Sequence, residues 1–207
     1  VVDPHKHGLQ PYGCGCILFR DPSVGAHYKH DSPYTYFTSE ELHLGEISLE
    51  CSRPGSAAVA LWATQKMLPM VKNGVFSRQL GTIRETALII HDFLKNDSRF
   101  ITTLDPELDI IVWGLKGSKA SEVSAYSNRF FDLTARRGLH LAKANLPRTI
   151  LENHWPNLEW DQEHVTCMRS CIMKPEVKDW IDDIRNIMVR AADETLVRNQ
   201  STDGKIL

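Results

Sequence analysis

The spacing of apolar and polar residues along the chain predicts alternating helices and strands. In the longest helical segment, apolar residues recur every three or four positions from Leu80 to Leu94, which is typical of a helix that buries one face. The predicted helices are 56–68, 76–95, 118–137 and 175–197. The predicted strands include 17–20, 99–104, 110–115, 139–144 and 164–173.

These elements predict an α/β fold. After residue 98, strands and helices follow one another with short connections, which favours a small domain with a mostly antiparallel sheet and helices on one face. Gly138 is expected to stop the helix before it. The segment 147–162 contains two prolines, Trp155 and Trp160 and has no clear period, so we expect a long loop over the sheet.

Length, charge and cysteine content narrow the class of protein. A chain of 207 residues can bury a core in one or two domains. Its 24 basic and 26 acidic residues give a formal charge of -2 without a basic patch, which argues against nucleic acid or an anionic membrane as a partner. Its apolar runs are too short to span a bilayer. Five cysteines, an odd number, favour free thiols in a reducing compartment, and we expect a cytoplasmic protein.

Nine histidines raise the question of a metal site. His5 lies close to His7, and His27 lies close to His30, but no third and fourth ligand follows either pair at a recognisable interval. We therefore predict no metal site. Metal analysis of the purified chain is the check on the histidine-rich alternative.

The clearest candidate chemistry lies at the N-terminal edge, in Val1-Val2-Asp3-Pro4-His5-Lys6. Two β-branched residues suggest the end of a strand, and Pro4 keeps Asp3 extended. This order places Lys6 in a turn close to backbone, where we expect its amine to lose solvent. A desolvated lysine has a lowered pKa and can act as an amine nucleophile that forms a Schiff base with an aldehyde. From these residues alone, a solvated surface lysine remains the alternative.

The whole N-terminal string is more specific than its His-Lys pair. Asp-Pro-His-Lys at 3–6 is followed by Gly-Leu-Gln-Pro-Tyr-Gly-Cys-Gly at 8–15 and by Ile-Leu-Phe-Arg-Asp at 17–21. A second block, Leu-Gly-Glu-Ile-Ser-Leu-Glu-Cys-Ser-Arg-Pro-Gly, occupies 44–55 and precedes an alanine-rich helix. In this order and at this spacing, the blocks resemble the cofactor-lysine region of the fold-type-I, pyridoxal-phosphate-dependent amino-acid decarboxylases of group II. Within that family they are similar to the branch that holds the glutamate and the archaeal tyrosine/aspartate decarboxylases.

The resemblance implies roles for five residues. Lys6 would hold pyridoxal 5'-phosphate through its amine, and His5 would contact the cofactor near its phosphate, or would only cap the turn. Arg53 would bind a substrate carboxylate bidentately, with a structural ion pair as the alternative. Tyr34 or Tyr36, on a mobile loop, would be catalytic and protonate the substrate carbon after carbon dioxide leaves.

Three further residues carry less specific expectations. Gln10 and Tyr12 follow Lys6, and each is expected either to touch cofactor or substrate or to serve in packing. Arg169, on the predicted strand 164–173, is expected to form a structural ion pair.

The resemblance also implies how the chain is organised. Residues 1–50 would be the C-terminal edge of the large cofactor-binding domain, and 51–207 would be a linking helix and the small C-terminal domain. In the family, most of the cofactor pocket comes from sequence before the lysine. We therefore expect this chain to be the C-terminal part of an enzyme, completed by the missing N-terminal portion and working as a homodimer.

The expected reaction is the decarboxylation of an L-amino acid to the amine and carbon dioxide, with the amino acid unspecified. Two alternatives stay open. One is a pyridoxal-phosphate-dependent carbon–carbon lyase of the sphingosine-phosphate-lyase type, which shares the His-Lys motif. The other is a non-catalytic fragment or assembly module.

Overall fold

The computed structural model describes residues 1–30, residue 47 and residues 54–200, with side chains up to 197. The chain divides into two compact units, Val1–Phe76 and Ser77–Leu207. The domain boundary predicted between residues 50 and 51 falls outside the described residues, so it stays a prediction.

The first unit contains a turn-rich N-terminal segment and one long helix. A 3-10 helix, Pro22–Tyr28, begins after Asp21, whose carboxylate accepts a hydrogen bond from the Ser23 backbone N–H. Helix α1 is Ser56–Met67, which confirms the helix predicted at 56–68.

The strand predicted at 17–20 is wrong. Val2 and Cys16 form an isolated antiparallel bridge, and no ladder continues beyond it into 17–20. Ile17, Leu18 and Phe19 are exposed instead. Strand propensity reflects packing against neighbouring strands more than an intrinsic backbone preference, and within the described residues this apolar run has no neighbouring strand.

The second unit alternates helices and strands as predicted. Helix α2 (Val75–Asn96) leads into it from the end of the first unit. The remaining elements, in chain order, are β1 (Phe100–Thr102), β2 (Ile110–Leu115), α3 (Ala120–Ala135), β3 (Ala142–Pro147), α4 (Arg148–Leu151), β4 (His164–Cys171), a 3-10 helix (Pro175–Trp180) and α5 (Ile181–Gln200).

The four strands form one antiparallel sheet in the order β1-β2-β4-β3. Strand β4 pairs with β2 on one side, where Trp113 lies opposite Met168, and with β3 on the other, where Ala144 lies opposite Cys167. The predicted α/β class with a small, mostly antiparallel sheet is therefore confirmed.

One face of the sheet carries the main core. In β2, Ile111, Trp113 and Leu115 alternate with residues of the opposite face and have no exposed surface. The Trp113 ring meets the rings of Phe100 and Phe130 edge to face, with centroids 5.3 Å away in each case. Apolar residues of α2, α3 and α5 complete this cluster, so the helices lie on this face.

The opposite face is covered by the segment between β3 and β4. Trp155 is 1% exposed, and its indole N–H donates to the Thr102 carbonyl at 2.7 Å. Leu151 and Leu158 pack beside it against Val165. The predicted loop over the sheet is confirmed, with the addition of the short helix α4 inside it.

The third strand starts three residues later than predicted, at Ala142 rather than at 139. Gly138 has a positive φ of 81°, which ends the helical course as predicted. Leu139 and Leu141 then pack against the core on the helix face before pairing with β4 begins. Burial of these two side chains therefore takes the place of strand pairing in the first residues of the predicted strand.

We expect Trp155→Ala to lower the free energy of unfolding of the second unit by about 3–5 kcal/mol, because it removes a large buried side chain and the donor to Thr102. Hydrogen exchange of the β2 amides measures this loss. The matched control is Trp180→Ala, which changes a side chain that is 61% exposed and should alter stability by less than about 0.5 kcal/mol. Equal losses in the two variants would contradict the packing described here.

We also expect a pH-dependent contribution from Glu122, which lies in the first turn of α3. Its carboxylate accepts hydrogen bonds from the Tyr126 hydroxyl at 2.5 Å and from the Ser118 backbone N–H at 2.6 Å. These donors, Tyr126 first, lower the pKa of Glu122. Its stabilisation is therefore present above the unfolded carboxyl pKa of about 4.3 and is lost as the pH falls through the lower folded value.

The variant Glu122→Gln should lose stability of the order of 1 kcal/mol at pH 7, the size of a helix-cap contribution. Denaturant unfolding between pH 7 and pH 3 should then show the variant and the unchanged chain converging at the acid end. Two curves that stay parallel throughout would rule out this role for Glu122.

Candidate functional site

The N-terminal segment folds into a tight turn around Lys6. The Lys6 backbone N–H donates to the Asp3 carbonyl at 2.9 Å, and the Gln10 N–H donates to the Pro4 carbonyl at 3.1 Å. A third bond runs from the Leu9 N–H to the Lys6 carbonyl at 3.3 Å. Residues 3–10 are thus closed on themselves by main-chain hydrogen bonds, with Lys6 near the centre of the turn.

The closure of this turn depends on a glycine and on one unusual backbone conformation. A Cβ atom on Gly8 would lie 2.6 Å from the Pro4 carbonyl oxygen and 2.7 Å from its Cα, so only glycine fits without displacing Pro4. Leu9 has φ of 58°, in the left-handed region that a leucine seldom occupies. The Gly-Leu pair therefore has a direct structural reason in this turn.

Two buried side chains fix the turn to helix α1. Gln10 is 7% exposed, and its amide nitrogen donates to the Gly8 carbonyl at 3.0 Å and to the Thr64 hydroxyl at 2.7 Å. Cys14 is 5% exposed, and its thiol faces the Ala57 carbonyl at 3.9 Å. Of the two roles expected for Gln10, the structure supports packing.

His5 is tied to the same segment. Its Nδ1 lies 2.9 Å from the Cys14 carbonyl oxygen. Because a carbonyl can only accept, Nδ1 carries the proton, and Nε2 is the nitrogen left to meet another group. The His5 ring also lies beside the Tyr12 ring, with centroids 5.5 Å apart, although Tyr12 itself is 94% exposed. The turn-capping contact expected for His5 is present, and its contact with a cofactor stays a prediction.

Lys6 carries an ion pair that the sequence did not lead us to expect. Its Nζ lies 2.8 Å from the Asp3 carboxylate, and the two side chains are 59% and 37% exposed. The hydrogen bond from Lys6 lowers the pKa of Asp3. In this chain by itself the amine therefore meets both solvent and a carboxylate, and its desolvation in a completed site stays a prediction. The three-residue spacing of Asp3 and Lys6 is the sequence signal that could have revealed the pair.

Three predicted site residues, Tyr34, Tyr36 and Arg53, lie outside the described residues, so their roles stay predictions. Arg169 is described: it is exposed on β4 and pairs through its backbone with β2 and β3. The structural ion pair expected for Arg169 is not found among the described residues.

Neither a metal site nor a membrane-spanning helix is found in the part of the chain that the structure describes. No group of three or more histidine, cysteine, aspartate or glutamate residues there is arranged to hold a metal ion. No helix there is both long enough and apolar enough to cross a bilayer.

Comparison with known proteins gives sequence relatives but no matching family model. The L-tyrosine decarboxylase of Enterococcus faecium is 26% identical over 135 residues, which are 60% of this chain and 22% of that protein. A probable L-tyrosine/L-aspartate decarboxylase of Methanothermobacter thermautotrophicus is 31% identical over 113 residues, 55% of this chain and 28% of that protein. The sphingosine-1-phosphate lyase of Arabidopsis thaliana is 25% identical over 149 residues, 72% of this chain and 25% of that protein.

Solved structures are similar to this chain in fold. Mouse CSAD in its apo form aligns over 92% of this chain and 38% of its own, with a TM-score of 0.63 at 14% identity. Oryza sativa TDC with PLP and tryptamine aligns over 75% of this chain and 30% of its own, with a TM-score of 0.57 at 9% identity. The chain thus spans between a fifth and two fifths of the five proteins described above. In sequence and in fold, it matches a C-terminal portion of the pyridoxal-phosphate-dependent group II amino-acid decarboxylases.

Proposed function

We propose that this chain supplies the cofactor lysine and the small C-terminal domain of a pyridoxal-phosphate-dependent decarboxylase that converts an L-amino acid to the amine and carbon dioxide. The observation that carries the proposal is the Lys6 turn. A primary amine projects from a segment that its own main-chain bonds close and that Gln10 fixes to α1. The residues of this turn are also those that resemble the cofactor-lysine motif.

Two of the described residues, Lys6 and His5, fit the aldehyde and the phosphate of the cofactor. Attachment of a pyridoxal aldehyde needs a primary amine that the aldehyde can reach, and the Lys6 side chain is 59% exposed. A phosphate needs hydrogen-bond donors, and because Nδ1 donates to the Cys14 carbonyl, the His5 Nε2 would donate to a phosphate only from the doubly protonated ring. When bound, the pyridoxal ring supplies the electron sink for the bond broken at the substrate Cα.

The remaining roles belong to residues outside the described part of the chain. Tyr34 or Tyr36 would deliver a proton to the substrate carbon once carbon dioxide has left. The guanidinium of Arg53 would bind and orient a substrate carboxylate through two parallel hydrogen bonds. The Arg53 assignment rests on its position in the second motif block, and the tyrosine assignment rests on the mobile loop that the resemblance implies between the two blocks.

We propose that the rest of the pocket comes from a companion segment, the upstream portion of the same enzyme, in a homodimer. The chain spans 22–28% of the decarboxylase relatives described above. In the first unit, large apolar side chains are exposed, among them Phe19 at 53%, Trp62 at 62% and Met67 at 81%. Exposed apolar surface of this extent is typical of an interface, which supports a partner for this unit.

A carbon–carbon lyase of the sphingosine-phosphate-lyase type is the second candidate function. It is favoured by the sequence match to the Arabidopsis lyase, which covers 72% of this chain, against 60% and 55% for the two decarboxylase sequences described above. Product analysis of the assembled enzyme separates the two reactions. A decarboxylase releases carbon dioxide and an amine, whereas the lyase releases an aldehyde.

We expect Lys6→Ala to abolish covalent cofactor binding in the protein assembled from this chain and its upstream portion. Borohydride reduction followed by peptide mass spectrometry should place a pyridoxyl group on Lys6 in the unchanged protein and on no lysine in the variant. The cofactor absorbance band should disappear with it. The control is Lys66→Ala, which removes another exposed lysine of the first unit and should leave both signals intact.

A pyridoxyl group on a different lysine would contradict the assignment of Lys6. Absence of any cofactor signal from the assembled, unchanged protein would instead favour the third alternative, a non-catalytic assembly module.

A further inference from the structure

We propose that Asp3 is a positioning residue for the Lys6 amine, holding it charged and oriented in the cofactor-free chain, so that aldehyde capture begins with the amine leaving Asp3. This inference rests on the proposed function and deepens it by assigning a residue that controls loading of the site. No role was expected for the Asp3 side chain from the sequence.

The geometry makes Asp3 a fixed partner rather than a chance contact. The Lys6 Nζ lies 2.8 Å from the Asp3 Oδ2, and the Lys6 backbone N–H also donates to the Asp3 carbonyl at 2.9 Å. On one side of Asp3, Val2 and Cys16 exchange two backbone bonds of 2.8 Å. On the other side, the carbonyl of the buried Pro4 accepts a hydrogen bond from the Gln10 N–H. The backbone that carries the Asp3 carboxylate is therefore fixed by hydrogen bonds on both sides.

The described charges that act on Asp3 have a definite sign. Asp3 is influenced by Lys6, by His5 and by the amino group of Val1, all cationic when protonated, and the Lys6 hydrogen bond has the largest effect in lowering the pKa of Asp3. Asp3 is consequently ionised at neutral pH. A neighbouring carboxylate favours the ammonium form of a lysine and opposes loss of its proton.

That sign matters because only the neutral amine is a nucleophile. In aldehyde capture, the ammonium first gives a proton to water and becomes the neutral amine. The amine nitrogen then bonds to the aldehyde carbon, and the aldehyde oxygen takes up the two protons that remain on the nitrogen and leaves as water, which leaves a carbon–nitrogen double bond. By stabilising the ammonium, Asp3 slows the loss of its proton. By binding the same group, Asp3 also fixes the position of the Lys6 Nζ before it reacts with the aldehyde.

Competitive acetylation tests the proposal on the 207-residue chain without any cofactor. Trace acetic anhydride is applied from pH 7 to pH 11, and peptide mass spectrometry gives the labelling of Lys6 relative to Lys66. In Asp3→Asn, Lys6 labelling at pH 7–8 should rise by about two- to fivefold, the range expected for an exposed ion pair. The midpoint of the pH profile should move down, and the profiles should meet above the midpoint, where the amine is neutral in both chains.

The matched control is Asp21→Asn, which removes another exposed carboxylate of the first unit, one bonded to Ser23 rather than to a lysine. It should leave the Lys6 profile unchanged. A merely structural role for Asp3 would change the accessibility of Lys6 and so raise labelling equally at all pH values without moving the midpoint. That result, or an unchanged profile, overturns the proposal. Hydrogen exchange of the Cys16 amide reports whether the turn is still closed in the variant.

The two proposals fail separately. An unshifted Lys6 profile together with a pyridoxyl group on Lys6 in the assembled protein overturns only the role of Asp3. A shifted profile without any pyridoxyl group on Lys6 overturns the proposed function, and with it the loading role of Asp3.

Discussion

The position of Lys6 depends on the buried amide of Gln10. This one side chain bonds the Gly8 carbonyl within the turn and the Thr64 hydroxyl on helix α1, so it joins the turn to the helix. A buried donor left without a partner costs about 1–3 kcal/mol, which gives the turn a strong preference for this arrangement over others. The position of the Lys6 amine is thus set by a residue for which no catalytic role is proposed.

The second unit follows a different principle, in which strand β4 is central. It pairs on both sides, with β2 and with β3, and its alternating residues serve two cores. Met168 packs with the helices, whereas Val165 and Cys167 pack beneath Trp155. Burial on both faces explains why this sheet needs both the long helices and the segment between β3 and β4.

The sequence predicted the second unit well because its signals are local and redundant. Strand β2 has the predicted bounds, since its short, nearly continuous apolar run is typical of a strand buried on both faces and is too short for most helices. Helix α2 differs from its prediction by one residue at each end. The start of β3 was missed because Leu139 and Leu141 are apolar in either setting, and only tertiary packing decides whether they pair or pack.

The resemblance of the Lys6 region to decarboxylases was predictable from the sequence, whereas the environment of Lys6 was not. The residues around Lys6 indicated a decarboxylase-like motif, and the relatives agree with that interpretation. The exposure of Lys6 could not be derived from the motif, because solvation is a property of the folded surface, whereas the three-residue spacing of Asp3 and Lys6 could have indicated their pairing. The prediction of a strand at 17–20 was wrong for a related reason. A strand needs a partner strand to pair with, and the local sequence does not show whether one lies beside it.

The close approach of Gly8 to Pro4 limits which residues position 8 can accept. The Pro4 carbonyl that a side chain at position 8 would strike is also the acceptor of the Gln10 N–H. A substitution that adds a Cβ atom at position 8 would either displace Pro4, and Asp3 with it, or break the main-chain hydrogen bonds that close the turn around Lys6. Substitution at this position is therefore limited by backbone space alone, and one added methyl group would displace the turn that carries Lys6 without changing any polar side chain in it.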